Sequence, residues 1–446
     1  MTKHDPLLSY YGDDLTGSTD VMEALASSGV ETVLFMDIPD EGLLQRFGHC
    51  RAIGLAGTSR SQAPDWMDEH LTPALAWLKS LNAAICHYKV CSTFDSSPQI
   101  GSIGKAVEIG KRLFDQAYVP LIVGAPQLKR YTAFGHLFAA YQGEVYRIDR
   151  HPVMNRHPVT PMAEADLRLH LKGQTELEAR LADLSMLAAA DADDRIDALC
   201  KSADGIILFD VDSAESQVNA GRQLWRRNPG NGWFVCGSSG VEYALLTAWS
   251  QAGLTQGRRT FPLPGKVDRI AIVSGSVSPT TERQIRHATE NGFTGINLDP
   301  MELLGEDSNA ALERAIAAGI ECLQKGRSVI LHTALGPSAD RGSIIDRIAG
   351  SRHRLGRMIG KILCRLVEEQ YLTRAVIAGG DTSSHALREL SVEALTTLLP
   401  LPQTPGSPLC TAHGRHAPTN GLQIALKGGQ VGSDAYFSQI RDGVQA

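Results

Sequence analysis

Short apolar runs alternate with segments of helical period along nearly the whole chain, and several runs stop at a tight polar or glycine-rich junction. A strand that feeds straight into a helix, repeatedly, has few ways to pack. The strands pair side by side in parallel, and the helices cover both faces. In the front half the predicted strands are 7–11, 32–35, 52–56, 84–90, 121–124, 205–209 and 233–236. Helical spacing of Val21, Met22, Leu25 and Ala26, and the segments 66–81 and 100–114, supply the helices between them. Residues 163–200, rich in Ala and Leu, are also predicted helical. The segment 251–267 carries Gly253, Gly257, Pro262, Pro264 and Gly265 without an apolar period, which suits a linker. The rhythm then restarts, with strands at 269–273, 329–332, 375–378 and 423–426, a helix at 279–291 and one long helix at 344–370.

At 446 residues the chain exceeds one ordinary core. The expected fold is α/β: two domains, 1–258 and 265–446, each a largely parallel sheet flanked by helices, with a cleft between them. Hydrophobic and charged contents of 43% and 21% are those of a soluble globular protein, and a net charge of -6 gives no case for nucleic acid or an anionic membrane as partner. No apolar segment reaches bilayer or signal-peptide length, so a cytoplasmic location is the expectation. The eight cysteines form no C-x-x-C pair, so the spacing predicts neither a disulfide framework nor a metal site.

The junctions carry the chemistry. After the first strand comes Gly12-Asp13-Asp14-Leu15-Thr16-Gly17. Adjacent side chains leaving a strand point in different directions, so one carboxylate can face a ligand while the other caps the helix. Neighbouring carboxylates raise one another's pKa, which suits a proton acceptor. The plain alternative is that both only cap. Lys89 opens a segment dense in short hydrogen-bonding groups, including Ser92, Thr93 and Asp95, as a polyol would need. Arg130, Arg156 and His157 are cations beside hydroxyls that would suit a substrate carboxylate. In the back half, Ser274, Gly275, Ser276 and Ser278 precede Pro279. Gly379, Gly380, Asp381, Thr382 and Ser383 form a second junction, and Lys427, Gly428 and Gly429 a third. Glycine turns after parallel strands gather free amides on one sheet edge, where phosphates bind. No G-x-G-x-x-G opens a helix with an acid about 20 residues on, which disfavours NAD(P).

These four junctions, in this order over nearly the whole chain, resemble the four-carbon acid sugar kinase family. The resemblance implies an N-terminal sugar-acid-binding domain and a C-terminal ATP-binding domain. It puts Asp13 and Asp14 in the substrate cleft and the Gly275, Gly379 and Gly428 turns around ATP. The family's third motif is Lys-x-Asp-Ser-Thr-Leu-Arg-Gly, whereas this chain has Cys91 at the Asp position and Asp95 at the Arg position. An acid there would repel a substrate carboxylate unless it turns away, which leaves Arg130 or Arg156 to hold that group. The departure resembles a side branch such as the kinases of 3-oxo-isoapionate, a branched keto sugar acid. The expected activity is phosphorylation of a sugar-acid hydroxyl by Mg2+-ATP. Asp13 or Asp14 would act as base and Lys89 would offset charge. A homodimer is the expected assembly. An NAD(P)-dependent oxidoreductase and a non-catalytic sugar-acid-binding protein are the alternatives.

Overall fold

The computed structural model describes residues 6–230, 232–339, 341–345, 347–348 and 350–444, with the side chains of Ser343 and Asp381 outside that description. Packing divides the chain into two units, one of residues 6–33 and 38–259, the other of 34–37 and 260–444.

The first unit is built on β1 (Leu8–Gly12), β2 (Thr32–Phe35, whose last two residues count with the second unit), β3 (Ala52–Ala56), β4 (Ile85–Lys89), β5 (Tyr118–Ile122), β6 (Arg130–Ala133), β7 (His136–Tyr141), β8 (Glu144–Arg147), β9 (Glu178–Ala182), β10 (Gly205–Phe209) and β11 (Trp233–Gly237). Its main sheet runs β2-β3-β1-β4-β11-β5-β10-β9, with parallel pairing from β3 to β9. Every residue of β1, β4, β10 and β11 is buried, as expected of parallel strands covered on both faces. Strands β6, β7 and β8 form a separate antiparallel sheet.

The second unit contains β12 (Ala271–Ser274), β13 (Phe293–Asn297), β14 (Ser328–His332), β15 (Arg374–Ala378), β16 (Ala394–Leu399), β17 (Leu409–His413) and β18 (Gln423–Lys427). Their order is β13-β14-β12-β15-β18-β17-β16, parallel as far as β18 and antiparallel beyond it. Ile270, Ile272, Ile330, Val376 and Ala425 form its core with Tyr436 and Phe437 from helix Tyr436–Asp442.

Two expectations need correction. The segment 163–200 is not continuously helical, because Glu178–Ala182 pairs with β10 as an edge strand. Partners across the sheet override the helix-forming composition there. The predicted long helix 344–370 is instead a short turn of helix, Gly342–Ile345, and helix Ser351–Gln370. Gly350, at φ 68°, occupies the left-handed region that an α-helix cannot pass through.

Candidate active site

In the first unit, Ala56, Gly12 and Lys89 are paired in successive strands, and Gly237 continues the row to Ile122. The loops that leave these strands therefore share one edge. Asp14 is the N-cap of helix Leu15–Ser27, its Oδ1 accepting from the Gly17 amide at 2.6 Å. Its Oδ2 takes Arg60 Nη1 at 2.8 Å, while Arg60 Nη2 reaches Asp95 Oδ1 and Oδ2 at 3.0 and 2.8 Å. One guanidinium thus bridges two carboxylates from the β1 and β4 junctions. Asp95 also accepts from Thr93 and, at 3.5 Å, from Thr160, whose hydroxyl lies 3.1 Å from His157 Nδ1. Burial pushes the Asp95 carboxyl up, but Arg60 and Thr93 outweigh it and hold the group below its ordinary range.

Asp13 is different. It is buried, and its Oδ1 has no hydrogen-bond partner among the described residues. Burial, reinforced by Asp14, pushes its carboxyl up to about 7 against the pull of Arg60 and Lys89. A carboxyl that titrates near neutrality can take a proton from a hydroxyl. Lys89 is buried beside it and donates to the Val90 carbonyl at 2.9 Å. Burial alone would lower its pKa, yet Asp20, Asp13 and Asp14 more than reverse that and keep an ammonium there. A β-carbon at Gly17 would lie 2.7 Å from Asp14 Oδ1 and 3.0 Å from Lys89 Nζ, so the glycine lets these groups converge. Behind them, Asp20 accepts from Ser239, and His87 pairs with Glu242 through Nδ1 and with the Gly237 carbonyl through Nε2.

In the second unit the row His332, Ser274, Ala378, Lys427 crosses β14, β12, β15 and β18. At its carboxyl edge lies a cleft of about 290 Å³. Its floor is Gly275, Ser276 and Ser278, then Gly379, Gly380 and Thr382, then Gly429. Ser278 caps helix Pro279–Glu290, but helix Gly380–Glu389 has no side-chain cap, so its first amides are available to a ligand. Gly379 has φ 117°, and a β-carbon on Gly275 would fall 2.2 Å from Thr382 Oγ1. The cleft is also lined by apolar Ile345, Leu355 and Pro300 and by Arg352 and Arg341, the latter paired with Asp299 at 3.0 Å. Lys427 is buried, donating to Thr281 Oγ1 at 3.0 Å and to the Gly428 and Gly429 carbonyls at 2.8 and 3.4 Å. With burial as the only influence on it, its ammonium is pushed down to about 7. Burying a cation without an anion is costly, and an incoming phosphate would relieve that cost.

Comparison with known proteins fits this arrangement. Residues 8–245 match a family model described as a sugar-binding N-terminal domain, and residues 271–437 one described as a nucleotide-binding C-terminal domain. The chain is 46% identical to the 3-oxo-isoapionate kinase of Paraburkholderia graminis, over 98% of this chain and 94% of that one. The chain belongs to the four-carbon acid sugar kinase family. A 3-oxo-tetronate kinase of Cupriavidus necator is a more distant relative, 28% identical over 98% and 96% of the two chains. The fold is also that of a Haemophilus influenzae protein of known structure (TM-score 0.73, 22% identity, 97% and 99% coverage).

The residues singled out in this kinase's sequence meet different fates in the fold. Asp13, Asp14, Lys89, Thr93, Asp95 and His157 lie in one connected network, with Arg60 at its hub. Arg60 was missed because its partners are 46 and 35 residues away. The signal that could have found it is Thr58-Ser59-Arg60, one more polar junction after a strand. Ser92 lies in the turn beside Cys91, whose thiol burial pushes up and keeps neutral. Arg130 is half-buried. Its Nη1 donates to the Leu128 and Lys129 carbonyls at 3.0 and 3.1 Å, and its Nε has no partner among the described residues. Arg156 is exposed and makes no side-chain hydrogen bond or ion pair among the described residues. In the second unit, Ser274 and Ser383 face inward, Ser383 bonding the Gly379 carbonyl, while the Asp381 side chain lies outside the described residues. Arg341 and Arg352 were not foreseen, since nothing local to their sequence distinguishes them from solvated arginines.

Proposed function

We propose that this kinase transfers the γ-phosphoryl group of ATP to a hydroxyl of a branched 3-oxo sugar acid of the 3-oxo-isoapionate type. The higher identity to the 3-oxo-isoapionate kinase than to the 3-oxo-tetronate kinase supports that acid over an unbranched one. The first unit then holds the acid and the second the nucleotide. The observation that carries the mechanism is the Asp13 carboxyl: buried, unpartnered at Oδ1 and titrating near 7 beside a retained ammonium.

Asp13 accepts the proton of the attacking hydroxyl. Asp14 is committed to the helix cap and to Arg60, so it positions rather than reacts. Lys89 offsets negative charge at the reacting oxygen. Arg130 takes the substrate carboxylate, because its guanidinium is partly desolvated and no carboxylate influences it. Asp95 is held against Arg60, which lessens its repulsion of that carboxylate. In the second unit the amides of Gly380 and its neighbours face the phosphates, Lys427 supplies positive charge from behind the Gly428 and Gly429 carbonyls that it binds, and Ile345 and Leu355 take the base. The residues suit a magnesium ion carried in on the triphosphate. The cleft offers the hydroxyls of Ser276, Ser278 and Thr382 and no carboxylate among its described lining residues. When bound, the ion supplies charge neutralisation on the phosphate oxygens.

Coupled ADP release from the purified protein tests this, with 3-oxo-isoapionate and 3-oxo-tetronate compared at equal concentration. Higher kcat/KM for the branched acid, and its loss in Asp13→Asn, is expected. Preference for the unbranched acid would overturn the substrate, and an active Asp13→Asn the mechanism.

A further inference from the structure

Away from the nucleotide cleft, the second unit brings a thiol, a carboxylate and an imidazole together. Cys364 and Glu368 sit one turn apart on helix Ser351–Gln370, and His416 comes from the connection between β17 and β18. Cys364 Sγ lies 3.2 Å from Glu368 Oε1, and His416 Nε2 lies 2.6 Å from the same oxygen. One donor atom from each residue lies within 4.8 Å of the other two.

We infer that Cys364, Glu368 and His416 form a binding site for a divalent transition metal of zinc type, joining helix Ser351–Gln370 to the β17–β18 connection.

Three features support it. The first is donor chemistry. Thiolate and imidazole select zinc-like ions over magnesium or calcium, which take oxygen donors. The second is charge. One thiolate and one carboxylate with a neutral imidazole balance a divalent cation. Binding breaks the Cys364 S–H bond and releases that proton to solvent, with no redox change. The third is geometry. Tetrahedral zinc with bonds of 2.0–2.3 Å spaces its ligands about 3.5 Å apart. The Cys364–Glu368 separation is already close to that, and the half-exposed His416 ring needs to back away by about 1 Å. The His416 backbone is fixed meanwhile, its carbonyl accepting from the Thr419 and Asn420 amides at 3.2 and 3.0 Å. Three protein ligands leave one position for water.

The sequence concealed this site because its ligands follow no zinc-finger spacing: two are at i,i+4 on a helix and the third is 48 residues on. Its placement gives it a consequence. The same helix lines the nucleotide cleft at Arg352, Leu355 and Gly356, and β18 runs into the Lys427-Gly428-Gly429 turn. A metal there ties together two elements that shape the cleft.

The test uses the full chain, stripped with chelator and titrated with Co2+ and then Zn2+. One equivalent of cobalt should produce a thiolate charge-transfer band that zinc displaces, and zinc should raise the melting temperature. In Cys364→Ser the band should vanish, and in His416→Ala the zinc affinity should fall at least tenfold. Both variants should fold and keep kinase activity without zinc, because neither residue touches the cleft. The inference fails if the native chain shows no band, or if the band survives unchanged in Cys364→Ser. It also fails if His416→Ala binds zinc as tightly as the native chain.

Discussion

Replacing Lys427 by methionine should make the second unit more stable and the enzyme inactive. The buried ammonium is pushed down from 10.5 to about 7 by burial alone. That shift corresponds to about 5 kcal/mol, at 1.36 kcal/mol per pKa unit. The sign follows from proton counting. Below pH 7 both folded and unfolded chains hold the proton, and the folded state bears the full cost. Between pH 7 and 10.5 the unfolded chain holds more protons, so stability rises with pH through that window. Methionine keeps the length and removes the charge. It also loses three hydrogen bonds, to Thr281, Gly428 and Gly429, worth about 1 kcal/mol each. The net gain is therefore about 2 kcal/mol at pH 6, falls to nothing near pH 8 and becomes a loss of about 2 kcal/mol by pH 10. ATP affinity moves the opposite way. Losing a buried cation–phosphate pair costs about 2–5 kcal/mol, or about 30-fold to several-thousand-fold in Kd. Thermal unfolding at pH 6, 7 and 9, with calorimetric titration of ATP, reads both quantities. In the native enzyme the titration should also show proton uptake above pH 7, as the phosphates restore the ammonium, and the variant should show none. A variant that is less stable at pH 6 and still binds ATP normally would refute the reasoning.

Five further outcomes follow from the first unit. Asp13→Asn should lower kcat by about 10²–10⁴-fold with little change in the KM for ATP. In the native enzyme kcat/KM for the acid should rise with pH and level off above about 7, where Asp13 is ionised; a flat profile from pH 5 to 8 would contradict its role. Arg130→Met should raise the KM for the sugar acid at least tenfold while leaving ATP binding intact, whereas Arg156→Met should change neither; comparing the two by steady-state kinetics checks the assignment. Asp95→Asn removes the charge opposite Arg60 and should cost about 2–3 kcal/mol in denaturant unfolding, with reduced activity. Gly17→Ala places a methyl 2.7 Å from Asp14 Oδ1 and should depress kcat in a chain whose circular dichroism is native.

Much of this was legible in the sequence, for a local reason. A glycine that must let a helix or ligand approach, a serine that caps, and a proline in a helix's first turn act within a few residues of themselves. The Asp13 and Gly275 junctions therefore announce themselves as strings. Asp14 does cap, as its residue type suggests, and its neighbour is left buried without a partner at Oδ1. What could not be read depends on distant partners. Arg60 acquires meaning only when β3 lies beside β1. The antiparallel β6–β8 sheet is set by pairings such as Arg130 with Ala139. Strand β9 reads as helix because Glu-Ala-Arg-Leu-Ala has helical composition, and only β10 recruits it. Asp95 is the sharpest case. As a letter it suggests repulsion of the substrate; in the fold it is the counter-ion that fixes Arg60.

Buried cations with no counter-ion mark the ligand positions better than the carboxylates do. Arg60 and Lys89 are answered by Asp14, Asp95, Asp20 and Asp13, so folding already compensates their burial and neither needs a ligand anion. Arg374 is fully buried as well, but it closes the end of helix Tyr436–Asp442 through the Ile440 and Arg441 carbonyls at 2.8 and 2.9 Å and has Asp442 within charge range. Arg130 and Lys427 are different: burial lowers both, and no carboxylate raises either, Arg130 being answered only by the Cys91 thiol and the Tyr131 phenol. Folding alone does not recover the cost of desolvating them, and an anion would. The two ligands inferred for these units are both anions, a carboxylate for the first and a triphosphate for the second. Exchanging either cation for an uncharged residue should therefore cost binding of one substrate only, and which substrate it is assigns the unit.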